Sequence, residues 1–173
     1  MNIHPILVHF PIAFLSLYVL CEVISVKRLR DWSSWLHLKA LLVVLGVITA
    51  VITSQTGELA ASIVNVPRNV LRVHDQWANL TTVIFGVIAF LYIAVIADTT
   101  IVRTWIEKFK LIMIWDKAVW LSHELLKMRV VMTVLALSGV VAITVTGGLG
   151  GAMVYGPDVD PIVRLIYNLL ISN

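Results

Sequence analysis

A single cysteine, Cys21, leaves no partner for an intrachain disulfide and too few thiolates for a cysteine-built zinc or iron–sulfur site. It lies in an apolar run and reads as a small packing residue. Charge is scarce as well. Asp, Glu, Lys and Arg make up 13% of the 173 residues while hydrophobic residues reach 60%, a balance that soluble domains do not show. A domain this small encloses too little volume to hide so much apolar surface, and the mean hydropathy is +0.95. The bilayer is therefore the expected solvent. The sequence pI is near 9.2, yet the basic residues fall between hydrophobic runs and form no nucleic-acid patch.

Other absences narrow the function. There is no serine–histidine–acid set, no phosphate-binding glycine loop and no paired-carboxylate motif, so no independent enzyme is expected, only a redox subunit of a larger complex. Repeats and low-complexity stretches are missing. The N-terminal residues carry no basic leader, and no small-residue cleavage site follows the first apolar run, which is expected to stay as a helix.

What is present is four runs long enough to cross a bilayer, at about residues 5–26, 38–57, 78–97 and 130–147. None alternates in the manner of a barrel strand, and hydrocarbon demands internally satisfied backbones. The expected fold is an all-α membrane protein, one domain over residues 1–173 built as a four-transmembrane-helix bundle. Residues 101–127 mix Trp105, Phe109, Met113, Trp115 and Trp120 with lysines and acids, the pattern of an amphipathic interfacial segment. Residues 161–171 form a short C-terminal helix.

Orientation follows from the basic residues. Ten (Lys27, Arg28, Arg30, Lys39, Arg103, Lys108, Lys110, Lys117, Lys127 and Arg129) fall on one side; Arg68, Arg72 and Arg164 fall on the other. The positive-inside rule then puts both termini in the periplasm of a bacterial inner membrane.

Such threading gathers distant polar residues at the outer face: His4, His9, Gln55, Glu58, His74 and Asp75, with Gly147, Gly148, Gly150, Gly151 and Tyr155. Polar groups at that depth are costly, which makes the gathering a candidate site. Pro11 lacks an amide proton and crowds the Leu7 carbonyl, so the first helix should bend and can aim His9 inward. His9 then either bonds the freed carbonyl or Glu58, or ligates a cofactor. His74 is its best partner. His4, just before Pro5, is either a cap or a further ligand. Asp75 complements the helix dipole. Gly147 and Gly151 share a face, for tight helix packing or for a porphyrin edge. At the inner face His37 and His123 are a second candidate pair, and Glu22 snorkels or pairs near Lys27.

The blocks His4-Pro5-Ile6-Leu7-Val8-His9-Phe10-Pro11-Ile12-Ala13, Thr56-Gly57-Glu58, His74 with Asn79, and Thr146-Gly147-Gly148-Leu149-Gly150-Gly151-Ala152-Met153-Val154-Tyr155 resemble those of DUF2231, a family of bacterial membrane proteins. The resemblance implies a four-helix membrane domain often found alongside redox proteins such as cytochromes c. It supplies no activity. Relatives often carry His-Gly shortly after the terminal Val-Tyr, where this chain has Tyr155-Gly156-Pro157, and the segment 101–127 is an atypical insertion.

Three functions follow as expectations. The first is an electron-transfer subunit holding b-type haem through His9 and His74, with His4, Gly147 and Gly151 nearby. Its partners would be lipids, other membrane subunits, and a periplasmic c-type cytochrome or quinol. The second is a cofactor-free structural subunit of a respiratory or photosynthetic complex. The third is a copper or other metal site using His4, His9, His74 and Glu58, or a proton-linked carrier.

Overall fold

A computed structural model describes residues 3–24, 34–63 and 66–172. The basic loop with Lys27, Arg28 and Arg30 lies outside the described residues. Those described contain seven helices and no strand. Helix α1 (His4–Val23) has two segments, His4–Leu7 and His9–Val23, joined at Val8. Then come α2 (Ser34–Ile63), α3 (Arg68–Ile96), α4 (Thr100–Lys108), α5 (Ile112–Lys127), α6 (Arg129–Tyr155) and α7 (Pro161–Leu170).

Helices α1, α2, α3 and α6 are long and apolar enough to cross a membrane. Each overlaps a run expected from sequence; α1 ends at Val23, and α2, α3 and α6 extend beyond the expected runs at one end or both. Helix α3 starts at Arg68 and α6 runs on to Tyr155, because a helix does not stop where hydrocarbon stops. Through Gly147–Gly151 the helix continues despite a propensity cost of about 1 kcal/mol per glycine. Side chains of neighbouring helices stand against Gly148, Gly150 and Gly151, while Gly147 is open.

The spans close a ring: α1 packs on α2, α2 on α3, α3 on α6 and α6 on α1. Its core holds Leu15, Tyr18, Val43, Phe85, Ile88, Tyr92, Met132 and Ala136. Two glycines permit close approach there. Gly46 lies directly under the Leu15 side chain, and a Cβ on Gly139 would sit 2.5 Å from Phe85 Cζ. Outside the ring, Ile12, Leu17, Val83, Val87, Val134 and Val141 stand exposed, as a lipid-facing surface requires. Lipid contact is thus built into the fold.

Two shorter elements finish the ends. Helix α5 packs on α3 at one end and buries Val119 and Ser122. At the other, α7 packs on α6, burying Val163 and Ile166. Asp160 caps α7 by accepting from the amides of Ile162 and Val163, with Pro161 in the first turn.

Candidate ligand site at the histidine end

At 100° per residue, His4, Pro11, Leu15, Tyr18 and Glu22 fall on one face of α1. The last four are buried. His9, five residues after His4, falls far round the helix from it. One of the two histidines can face the bundle, and it is His4.

Pro11 does leave the Leu7 carbonyl without its helical donor, and the Val8 carbonyl receives Ile12 only at 3.5 Å. The freed Leu7 oxygen is taken by α2: Thr53 Oγ1 donates to it at 3.3 Å. Thr56 Oγ1 in turn donates to the Thr53 carbonyl at 2.9 Å. Its single proton spent, that hydroxyl accepts from His4 Nδ1 at 3.1 Å, and the Thr53 carbonyl also accepts from the His4 ring. The ring lies over Gly57, where a Cβ would stand 3.1 Å from His4 Cε1.

His74, on α3, is partly buried and sends Nδ1 to the Thr146 carbonyl of α6 at 3.0 Å. A carbonyl only accepts, so His74 carries its proton on Nδ1, and in the neutral ring Nε2 holds the lone pair. Gly150 makes room; a Cβ there would lie 3.6 Å from His74 Cε1. Four helices thus contribute to one rim: His4 from α1, Thr53, Thr56 and Gly57 from α2, His74 from α3, Thr146 and Gly150 from α6.

Several expectations change. His9 is exposed and donates Nδ1–H to the Pro5 carbonyl at 2.8 Å, so it does not face the bundle. His74 turns to the Thr146 carbonyl of α6, and His4 to Thr56 of α2. Gly151 is covered by α7, with Val163 Cγ2 3.6 Å from where its Cβ would be, and Gly148 takes Ile166 at 2.6 Å, so α7 packs against both positions. Gly147 is open, with nothing within 4 Å. Gln55, Glu58, Asp75 and Tyr155 are exposed, and among the described residues no three of His, Cys, Asp and Glu gather as a metal set. His37 and His123 are exposed too.

At the opposite end lies a polar cluster that sequence reasoning missed. Glu22, 8% exposed, meets Lys39 Nζ at 2.9 Å and accepts from Tyr18 Oη at 3.4 Å and Tyr92 Oη at 3.3 Å. Lys39 also stands 5.6 Å from the centre of the Tyr92 ring, and the tyrosines meet edge to face at 6.1 Å. The partner of Glu22 is Lys39, while Lys27 lies outside the described residues. A signal existed: Tyr18 and Glu22 are four apart on an otherwise apolar helix.

Comparison with curated proteins and with solved structures yields no match. A family model described as "Predicted membrane protein (DUF2231)" matches residues 1–160, ending just before α7, and it spans all four membrane helices and the whole histidine rim. This chain belongs to the DUF2231 family of membrane proteins.

Proposed function

We propose that the chain is an electron-transfer subunit of a bacterial inner membrane, holding b-type haem at the histidine end through His74 and His4. The observation that carries this reading is the His74 Nδ1–H bond to the Thr146 carbonyl. It fixes the ring and its tautomer, leaving Nε2 as the ligating nitrogen, as partners of metal-bound imidazoles do. His4 is anchored by the threonines of α2, and a glycine beside each ring keeps side-chain bulk away. The donor set, two imidazoles on facing helices, suits haem better than a metal ion that needs three or four protein ligands. Haem, when bound, supplies one-electron chemistry. The protein's own part is to orient two rings, bury their edges and set the potential through Thr146 and Thr56.

The excess of basic residues at the other end supports a periplasmic rim, with both termini on that side. There a c-type cytochrome or quinol could exchange electrons with it, and the chain would not turn over a substrate alone. A cofactor-free structural subunit is the second reading, favoured by the exposed apolar faces of α4, α5 and α7. Reduced-minus-oxidised spectra of the purified protein, with a pyridine haemochrome assay, separate the two. Sharp b-type bands that vanish in His74→Ala and His4→Ala but survive in His9→Ala are expected. A colourless wild-type protein, or bands that depend on His9 and not on His4, would overturn the assignment.

A further inference from the structure

The hairpin of α4 and α5 joins two membrane spans by very short links. Residues 97–99 separate α3 from α4, and Met128 alone separates α5 from α6. It cannot leave the bilayer surface. Yet it exposes large apolar side chains: Ile101 at 73%, Trp105 at 60%, Phe109 at 65%, Met113 at 71% and Trp120 at 65%.

Its charges are divided unevenly. Asp98 and Asp116 are both taken by Arg103, at 2.8 and 3.0 Å, and Glu124 by Lys127 at 2.8 Å. Lys108, Lys110, Lys117 and Arg129 make no ion pair among the described residues, and Glu107 is the one acid of the hairpin left beside them. Lys108 sits 5.7 Å from the centre of the Trp105 ring, pairing an ammonium with an indole. At the same end the start of α6 offers a shallow, open surface of Arg129, Val130, Thr133 and Val134, cationic at its beginning and largely apolar along the span.

We infer that this hairpin is a binding surface for anionic phospholipid, with headgroup phosphates on Lys108, Lys110, Lys117 and Arg129. The indoles of Trp105 and Trp120 lie at headgroup depth, and an acyl chain runs along Val130 and Val134. Three of the hairpin's four acids, Asp98, Asp116 and Glu124, are neutralised within it, and Glu107 alone opposes the four cations left for the leaflet.

The test uses the full chain in phosphatidylcholine vesicles doped, at equal mole fraction, with brominated phosphatidylglycerol or with brominated phosphatidylcholine. Tryptophan emission should be quenched roughly two- to threefold more by the anionic lipid, and salt should shrink that preference. The Trp105→Phe/Trp120→Phe variant should lose it. So should Lys108→Gln/Lys110→Gln/Lys117→Gln/Arg129→Gln, with Lys117→Gln alone giving a smaller step in the same direction should the fourfold variant not fold. Glu107→Gln should raise it. Equal quenching by the two lipids in the native protein, or a preference that survives the loss of the cations, would overturn the inference. So would a hairpin that neither lipid quenches because a protein covers it.

Discussion

Glu22 carries a charge inside a membrane helix, and its surroundings show how that is tolerated. Lys39 supplies the counter-charge and two tyrosines donate to the carboxylate, so its acceptor sites are shared among three helices. Breaking a buried pair by one partner is far worse than removing both. Lys39→Met should cost about 3 kcal/mol in detergent-solubilised thermal unfolding, and Glu22→Leu/Lys39→Met should recover most of it. An additive double variant would show that the two residues do not act as a pair. Thr53 allows a similar analysis. Thr53→Val strands the Leu7 carbonyl and should cost about 1–2 kcal/mol. In a Pro11→Ala background, where residue 11 regains its amide proton, the same change should cost clearly less.

Asp98 gives the pH dependence. The Arg103 guanidinium beside it, aided by the Trp115 indole N–H at 3.0 Å, holds its carboxyl below the usual carboxylate range. A depressed acid stabilises the fold fully above its ordinary value and loses that contribution as pH falls through the lowered one. The link between the end of α3 and α5 should therefore hold at neutral pH and loosen in strong acid. Protection against hydrogen exchange across residues 100–117, relative to the intrinsic rate at each pH, should fall on acidification in the native protein and be low and flat in Asp98→Asn.

Among the elements, α6 and α7 define what the glycine run is for. Four glycines serve different neighbours: Gly148 admits Ile166, Gly151 admits Val163, Gly150 admits the His74 ring, and Gly147 admits nothing. Gly147→Ala should be neutral or stabilise by about 0.5–1 kcal/mol through helix propensity. Gly148→Leu should push Ile166 out and release α7, seen as proteolysis near residues 156–160. Equal effects at the two positions would mean that α7 does not dock on this face. The same contacts explain why a four-residue repeat of glycines was legible as a packing face while its occupant was not. Sequence spacing shows where backbone can be approached; it does not show by what.

The two histidines of α1 make the same point. Pro11 signals an orphaned carbonyl, but its donor comes from Thr53 of α2, 46 residues further along the chain, and not from His9. The angular separation of residues 4 and 9 was the available clue. It says that only one ring can face inward, and the buried stripe of Pro11, Leu15, Tyr18 and Glu22 says which.

For the whole molecule, the testable property is sidedness. In a Cys21→Ser background, single cysteines at positions 58 and 75 should react with an impermeant maleimide from one side of the membrane, and a cysteine at 117 from the other. Labelling of 58 and 75 from opposite sides would break the four-span arrangement that brings His4 and His74 to the same end of the bundle. The ten-to-three division of basic residues predicts that the side carrying 117 is cytoplasmic.

Hydropathy along the chain by itself determined the number of candidate spans, the helical class and the amphipathic character of residues 101–127. These depend on a local quantity, the free energy of moving a segment from water into hydrocarbon. Which imidazole enters the bundle, which lysine answers Glu22 and which glycine meets which side chain were decided by the tertiary structure. Those outcomes depend on the rotation of each helix about its axis, and that rotation is set only when all the neighbouring helices pack together.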